Sequence, residues 1–320
     1  MRILIVTPAP RGSRLGNYVT AARWAGLLKS LGHDVRVARE FRGQPADLLI
    51  ALHARKSASS IQKWRRGRPK SPIVLCLTGT DVYQDMPSCA EARRSVMLAD
   101  RIVTLQPLAA TELPEEHRRK ARTILQSVPK PKRKSKQLKD AFEVCVMGHL
   151  REVKDPFRAA EAARLLPENS QIRVIHLGGA LSSEMESRAI QEAMENPRYE
   201  WLGELPRPAA LRTLMRCRLM VLSSLLEGGA NAISEAVVLG VPVLASRIDG
   251  SVGLLGDDYP GYFEVGDTKA LAALLYRAET ESAFYESLQR DCARVAENFK
   301  PEVEREAWRS LIRELSRRRP

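Results

Sequence analysis

Short runs of apolar residues alternate with amphipathic segments along almost the whole chain. Continuous apolar runs of this kind are typical of strands that are buried on both faces of a parallel sheet. In the first half of the chain, the runs that predict strands are residues 3–7, 35–38, 48–52, 73–77 and 102–105.

Helical patterns lie between these strands. The first predicted helix spans about residues 18–31, with Asn17 as its N-cap and Gly32 as its stop. A second helix begins after Ser57, its predicted cap, and runs to about Arg66. Repeated strand–helix units of this length predict a doubly wound parallel sheet.

The same alternation returns in the second half. A helix is predicted to open at Asp155 and Pro156, as a cap followed by proline at the first helical position. A glycine-rich loop is predicted at residues 249–253. The predicted strands lie at residues 144–147, 173–177 and 219–222, in the apolar run that ends at Ala245, and near residues 262–265. Residues 201–205 are predicted to be a short strand and a loop. The other predicted helices lie at residues 182–194 and 208–217, after Asn231, from Thr268 onward, and at about residues 301–317.

A basic segment with two prolines, residues 129–139, separates the halves and is predicted to be a linker. We therefore predict an α/β protein with two Rossmann-like domains, residues 1–138 and 139–300. Their sheets would face each other across a cleft, with the loops at the strand C-terminal ends turned toward the ligand. A C-terminal helix, residues 301–320, is expected to pack toward the first domain.

Composition and charge narrow the class of protein. The 320 residues carry a net charge of +13, but arginine is spread through the sequence, so we expect an anionic-ligand cleft and no nucleic-acid partner. No apolar run approaches the ~20 residues of a membrane span. Because the sequence begins directly with a strand and lacks a signal-peptide layout, we expect a cytoplasmic protein. The five cysteines stand singly and are interpreted as reduced core residues.

The segment from Ser223 to Ala245 contains the main candidate site. Glu227 lies in a loop after a buried strand, and Glu235 lies about two turns into the next helix, so both carboxylates can face one cleft. Such glutamates around a phosphate site suit a sugar nucleotide, although solvated helix faces also carry glutamates at this spacing. The backbone N–H groups that can bind phosphate at this helix N-terminus belong to Gly228, Gly229, Ala230 and Asn231.

Loops at other strand ends provide further candidates. Arg151 and Lys154, in the loop of residues 148–156, suit a departing diphosphate, with a solvated basic loop as the alternative. Gly12 and Gly16 allow a phosphate or substrate to approach the backbone, with a tight turn as the alternative, but their spacing is not that of a dinucleotide-binding motif.

His53 and the pair Thr80 and Asp81 also follow predicted strands of the first domain. Histidine there can handle a proton or bind a substrate hydroxyl, and a purely structural role stays equally open.

The chain resembles the GT-B glycosyltransferases of family 4 over nearly its whole length. The strongest part is Glu227…Glu235 followed by Gly240-Val-Pro-Val-Leu-Ala. The resemblance implies that Glu227 contacts hydroxyls of the donor sugar and that Glu235 holds the ribose of the nucleotide. Lys154 matches the family's diphosphate-binding lysine. The position of the family's arginine is occupied by His149, so Arg151 is expected to take that role.

One branch of that family is more similar still, on residues 15–24, 51–57, 77–81, 148–156 and 246–253. It consists of the selenosugar synthases of selenoneine biosynthesis, which join selenophosphate to the anomeric carbon of a UDP-sugar. The resemblance implies UDP-N-acetylglucosamine as the donor, or else UDP-glucose. A trianionic acceptor needs cations, and the cations on the predicted cleft-facing loops of the first domain are Arg11, Arg14, Arg55 and Lys56.

The predicted site combines these residues. Catalytic roles are expected for His53, Arg151, Lys154 and Glu227. Donor binding is expected for Gly16, His149, Arg151, Lys154, Gly203, Leu205, Glu227, Gly228, Gly229, Ala230, Asn231 and Glu235. Acceptor binding is expected for Arg11, Asn17, His53, Arg55, Lys56, Thr80 and Asp81.

The resemblance implies an enzyme without a metal or other cofactor, and the sequence lacks an Asp-x-Asp carboxylate pair. Three alternatives stay open: transfer to an ordinary hydroxyl, epimerisation of the UDP-sugar itself, and a nucleic-acid-binding regulator using the basic linker. The sequence leaves the oligomeric state open.

Overall fold

The computed structural model describes residues 1–13, 15–130, 137–138 and 140–317. Residues 131–136 and 139 of the predicted linker lie outside the described residues, as do Arg14 and residues 318–320. Contacts divide the chain into two compact units, Met1–Gln126 with Pro301–Pro320, and Ser127–Lys300. The division therefore falls after Gln126, ahead of the position predicted from the sequence.

The first unit contains a six-stranded parallel sheet. Its strands are β1 (Arg2–Val6), β2 (Asp34–Ala38), β3 (Leu48–Leu52), β4 (Ile73–Cys76), β5 (Arg101–Thr104) and β6 (Ala121–Thr123). Their order in the sheet is β2-β1-β3-β4-β5-β6. Its helices are α1 (Gly16–Ser30), α2 (Ala58–Gly67), α3 (Met86–Ser88), α4 (Ala90–Leu98), α5 (Glu115–Arg118) and α13 (Pro301–Arg317), with a π-helical turn at Asp81–Asp85 and a 3-10 turn at Pro107–Ala110.

Both faces of this sheet are covered by apolar side chains. Ile3 of β1 belongs to a core with Trp24 of α1 and Trp308 of α13. The next residue, Leu4, belongs to a second core with Trp64 of α2. Successive side chains of a strand point to opposite faces, so a continuous apolar run is what a strand between two cores requires.

The C-terminal helix α13 packs on α1. The rings of Trp308 and Trp24 meet edge to face with centroids 4.9 Å apart. Glu304, which is 1% exposed, accepts a hydrogen bond from Trp24 Nε1 at 2.7 Å and pairs with Arg23 at 3.0 Å. Because a buried carboxylate needs such partners, this pairing ties α13 to α1.

The second unit repeats the architecture. Its strands are β7 (Phe142–Met147), β8 (Ile172–Leu177), β9 (Tyr199–Trp201), β10 (Leu219–Leu222), β11 (Val243–Ser246) and β12 (Tyr262–Phe263), in the order β12-β11-β10-β7-β8-β9, all parallel. Its helices are α6 (Arg158–Arg164), α7 (Ser183–Glu195), α8 (Arg207–Arg216), α9 (Asn231–Leu239), α10 (Asp249–Leu255), α11 (Thr268–Thr280) and α12 (Ser282–Ala296), with 3-10 turns at Glu152–Lys154 and Glu297–Phe299. The predicted pair of parallel-sheet α/β folds is confirmed.

One predicted N-cap, Asn17, is wrong, and the other, Ser57, is right in position but makes no capping hydrogen bond. Helix α1 begins at Gly16, with Leu15 as its N-cap and no capping side-chain hydrogen bond, so Asn17 already lies inside the helix. Ser57 does stand at the N-cap of α2, but its hydroxyl donates to the carbonyl of Leu52 at 2.6 Å instead of capping. In neither helix does the expected side chain cap the first turn.

The predicted helix opening at Asp155 and Pro156 is also wrong. Asp155 has a left-handed backbone (φ 43°), and α6 begins only at Arg158, whose Nε donates to the Asp155 carboxylate at 2.7 Å. Asp155 therefore ends the preceding 3-10 turn, as its C-cap, instead of opening α6.

The predicted glycine-rich loop at residues 249–253 is helix α10. Glycine weakens a helix by about 1 kcal/mol relative to alanine. Here Ser251, Leu254 and Leu255 are buried, and Gly250 packs on the backbone of Glu227, where a Cβ would stand 2.4 Å from the Glu227 carbonyl oxygen. Tertiary packing therefore overrides the local preference.

In the described part of the chain, no helix is long and apolar enough to cross a membrane.

Candidate functional site

Two loops of the second unit meet at the carboxyl edge of its sheet, because β7 and β10 are neighbours. The loop after β7 carries residues 148–156, and the loop after β10 carries residues 223–230. Leu225 N–H donates to the Val153 carbonyl at 2.9 Å, and the Ser223 hydroxyl donates to the Asp155 carbonyl at 2.8 Å. The two predicted donor-binding loops are thus joined by direct hydrogen bonds.

Glu227 lies at the centre of this junction. Lys154 Nζ and the Ser224 hydroxyl both donate to Glu227 Oε1, the latter at 2.7 Å. The Glu227 side chain is only 11% exposed and is therefore largely shielded from water. The two donors compensate for the hydration that its carboxylate loses on burial. Among the described residues, none donates a hydrogen bond to Oε2, which leaves that oxygen for a ligand hydroxyl.

Glu235 lies one turn into α9, not two, and is 9% exposed. Its Oε1 accepts from Arg207 Nη2, at the start of α8, at 2.6 Å. The alternative interpretation, that these glutamates lie on solvated helix faces, fits neither residue, because both are largely buried and both form an ion pair.

The N-terminus of α9 lies between the two glutamates. Its first backbone hydrogen bonds run from Ile233 and Ser234 to the Ala230 carbonyl, at 3.0 and 3.4 Å. The N–H groups of Asn231 and Ala232 precede them and have no intrahelical acceptor. Since the first turn carries no acidic residue, this end of the helix keeps its positive potential for an anion.

His176, a fully buried residue of β8, holds the start of the loop after β7 in place. The Gly148 carbonyl can only accept, so His176 Nε2–H donates to it at 3.1 Å, and Nδ1 then accepts from the Tyr199 hydroxyl at 3.0 Å. Gly178 lies against the same carbonyl, where a Cβ would stand 1.9 Å from the Gly148 oxygen. The start of the loop is therefore set by a neutral histidine and a glycine.

The depressed pKa of His176 makes the stability of this unit depend on pH. Burial disfavours the imidazolium and lowers the pKa of His176 from 6.5 to about 4, despite the opposing hydrogen bond to Gly148. As the pH falls from about 6.5 to about 4, the unfolded chain binds a proton that the folded protein does not. The free energy of unfolding should then fall by about 3 kcal/mol over that range.

Urea unfolding between pH 7.5 and 4.5 measures this effect. The variant His176→Gln should show a smaller slope with pH than the wild type, and an NMR titration should give His176 a midpoint near 4. Equal slopes and a midpoint near 6.5 would contradict the prediction.

The remaining predicted donor residues lie on the same edge. Arg151 is exposed, and its carbonyl accepts from Lys154 N–H at 2.9 Å. Nδ1 of His149 is buried and has no hydrogen-bond partner among the described residues. Gly203, with φ 66°, accepts at its carbonyl from Gly178 N–H at 2.8 Å. Leu205, partly exposed, follows it shortly before α8.

His53 directly follows β3 of the first unit, has a strained backbone (φ 74°) and is 2% exposed. Lys56 N–H donates to Nδ1 at 3.4 Å, so Nε2 carries the proton and faces Thr80 Oγ1 at 3.3 Å and Asp85 Oδ2 at 3.8 Å. Burial lowers the pKa of His53, an effect that nearby Asp81 opposes. The imidazole is therefore neutral at neutral pH.

Asp81 is fully buried, and its carboxylate is used in hydrogen bonds with the protein backbone. It accepts from the backbone N–H groups of Ala54, Thr78 and Gly79 at 2.8–2.9 Å. These bonds fasten the loop after β3, which contains His53, to the loop after β4. The structure gives Asp81 a role in positioning its neighbours.

The other predicted acceptor residues are spread over two loops of the first unit. Arg55 and Lys56 are exposed beside His53. Arg11 is exposed in the loop after β1, whereas Gly16 and Asn17 form the first turn of α1. Arg14 lies outside the described residues.

In the described ranges, no group of three or more His, Cys, Asp or Glu side chains could hold a metal ion. Four of the residues that pair with predicted site residues or hold their loops are absent from the sequence prediction: Asp85, His176, Arg207 and Ser224. His176 carries the one usable signal, because a histidine inside an apolar run needs a buried partner. Nothing local distinguishes the other three from ordinary polar residues.

Known proteins resemble this chain in sequence and in fold. Residues 128–298 match the family model described as glycosyl transferases group 1. A protein of Xenopus tropicalis, glycosyltransferase 1 domain-containing protein 1, is 25% identical over 327 residues, which cover 94% of each chain.

Solved structures share the fold. Sucrose-phosphate synthase of Thermosynechococcus elongatus aligns with a TM-score of 0.77 at 15% identity, covering 98% of each chain. HepE of Anabaena, in complex with UDP and glucose, aligns with a TM-score of 0.75 at 16% identity, covering 98% of this chain and 100% of that one. These likenesses confirm the predicted GT-B fold.

Proposed function

Because the chain belongs to the group 1 glycosyltransferases, we propose that it transfers a sugar from a UDP-sugar to selenophosphate. The selenium forms a bond to the anomeric carbon while the bond from that carbon to the diphosphate oxygen breaks, and the electron pair leaves with UDP. UDP-N-acetylglucosamine is the proposed donor, with UDP-glucose as the second choice. The product is a selenosugar of the kind made in selenoneine biosynthesis.

The observation that carries the donor half is the junction at Glu227. A buried carboxylate whose Oε2 accepts from no described residue, a lysine, and the N-terminus of α9, whose first turn carries no acidic residue, lie together at one sheet edge. Glu227 Oε2 suits a sugar hydroxyl, and Glu235 suits the ribose. HepE, which shares the fold, binds UDP and glucose, and this supports the assignment.

Negative charge develops on the UDP leaving group as its bond to the anomeric carbon breaks. Positive charge beside the diphosphate therefore stabilises the transition state. Lys154, Arg151 and the N–H groups of Asn231 and Ala232 supply it in this proposal. Lys154 is held by Glu227 in the structure. A diphosphate would compete with Glu227 for this ammonium group.

The acceptor half rests on the first unit. Arg55 and Lys56 expose two cations beside His53, which suits a small, highly charged anion. An anionic selenium nucleophile needs no strong base, in keeping with the lowered pKa and neutral form of His53. His53 orients the acceptor in this proposal.

A hydroxyl acceptor is the second candidate, because an alcohol must lose a proton. With Nε2 of His53 protonated, the buried carboxylate of Asp85, 3.8 Å from that nitrogen, is the group that can take this proton.

Mass spectrometry of reaction products tests these proposals. With UDP-N-acetylglucosamine and selenophosphate, we expect a selenium-containing sugar phosphate and one UDP for each sugar consumed. Parallel reactions contain a hydroxyl acceptor, or no acceptor, in which an epimerase would still turn over. A glycoside formed only with the hydroxyl, or an epimer formed without any acceptor, would overturn the selenophosphate proposal.

A further inference from the structure

An ion pair beside His53 involves a residue to which the proposed mechanism assigns no role. Asp85 ends the π-helical turn Asp81–Asp85 after β4, and its side chain is 11% exposed. Its Oδ1 lies 3.1 Å from Arg55 Nε. Its Oδ2 faces His53 Nε2 at 3.8 Å and has no hydrogen-bond partner among the described residues. Single π-helical turns occur frequently at functional sites.

Among the described residues, the guanidinium of Arg55 forms an ion pair with Asp85 alone. Its side chain is 53% exposed, although Nε is held by Asp85. Its two terminal nitrogens form no ion pair or hydrogen bond with any described residue other than Asp85. Arginine binds phosphate-like groups through a planar fork of N–H groups, which is most effective when the fork is already oriented.

The backbone that carries Arg55 is also fixed. His53 keeps a left-handed φ of 74°, which persists only where the surroundings hold it. Asp81 supplies that hold by accepting from Ala54 N–H, between His53 and Arg55, at 2.9 Å. Both the main chain and the side chain of Arg55 are thus tied to the turn 81–85.

From this geometry we infer that Asp85 is a positioning residue, which holds Arg55 so that its terminal N–H groups bind an oxyanion of the acceptor. The inference rests on the proposed anionic acceptor and adds its binding mode. The charged groups that act on this place are Asp81, Asp85, Arg55 and Lys56, with neutral His53 between them. Glu91 of α4 also feels the charge of Arg55, without forming an ion pair with it.

Whether the substitution of Asp85 tightens or weakens anion binding distinguishes a positioning role from a purely electrostatic effect of its charge. Removing a carboxylate near an anion site should tighten anion binding if charge alone matters. If Asp85 orients Arg55, then Asp85→Asn should instead raise the KM for selenophosphate about tenfold, the size of one charge-assisted hydrogen bond. Arg55→Lys should do the same, because lysine lacks the fork.

Glu91→Gln is the matched control, since it removes an equal charge that does not hold Arg55. The KM of this variant for selenophosphate should be equal to or lower than that of the wild type. The double variant Asp85→Asn with Arg55→Lys should be no worse than either single variant, because both remove one shared interaction. UDP affinity and the thermal midpoint, measured on every variant, show that the fold and donor site are intact.

Calorimetric titration of the same variants with selenophosphate alone measures its binding directly, without catalytic turnover. Weaker binding in Asp85→Asn but not in Glu91→Gln supports the inference. Unchanged or tighter binding in Asp85→Asn, or additive losses in the double variant, overturns it. If the wild type binds selenophosphate and Asp85→Asn weakens that binding, yet no selenosugar forms, the proposed function fails while the site inference stands.

Discussion

Glu227→Ala should lower kcat for sugar transfer by two to three orders of magnitude, roughly the effect of removing one group that stabilises a transition state. UDP should bind to this variant as tightly as to the wild type, or more tightly. The reason lies in the pairing of Glu227 Oε1 with Lys154 Nζ, since the alanine variant releases the ammonium group to the diphosphate. The loss therefore falls on the sugar and not on the nucleotide.

Steady-state kinetics and calorimetric titration with UDP measure the two effects separately. Glu143→Ala is the matched control: Glu143 is also buried and pairs with one arginine, Arg216, at 2.7 Å, but it lies near the start of β7. It should lower the free energy of unfolding without a selective loss of kcat. A Glu227→Ala protein that lost UDP affinity and kcat together would contradict the role proposed for Glu227.

Gly178→Ala should disable the donor site by a different route. The new Cβ would stand 1.9 Å from the Gly148 oxygen and 2.9 Å from the His149 nitrogen, and Gly178 has a φ of 154° that alanine rarely adopts. The Gly148–His149 peptide must then move, which should cost about 2–4 kcal/mol of unfolding free energy. UDP affinity should fall with it, because that peptide begins the loop carrying Arg151 and Lys154.

Urea unfolding and UDP titration at a temperature where the variant is folded test this prediction. Gly26→Ala in α1 serves as a control, since a Cβ there has no neighbour within 4 Å. That change should stabilise the protein by up to about 1 kcal/mol through helix propensity. Wild-type UDP affinity in Gly178→Ala would mean that the loop accommodates the methyl group and that its position matters less than proposed.

Features that depend on near neighbours in the chain were predictable from the sequence. Strands such as β1 and β3 are continuous apolar runs, and burial on both faces leaves no other pattern for them. Ser182, which does accept a capping hydrogen bond from Met185 N–H, is a residue type whose preference acts within one turn. The loop position of Glu227 also follows from the strand before it.

Features that depend on distant residues were not predictable in this way. Whether residues 249–253 form a loop or α10 is decided by packing on Glu227, which the local glycine content does not reveal. The same is true of Arg207 with Glu235, and of Asp85 with Arg55, whose side chains meet only after the sheets have formed.

For this protein, the sequence by itself determined the two parallel sheets, the strand ends and the loops that bear polar residues, because these follow from short-range patterning. Only the tertiary structure decided which charges neutralise one another: Glu227 with Lys154, Glu235 with Arg207, and Arg55 with Asp85. Coulomb interactions and desolvation depend on distance in space and on burial, and neither is encoded in the spacing of residues along the chain.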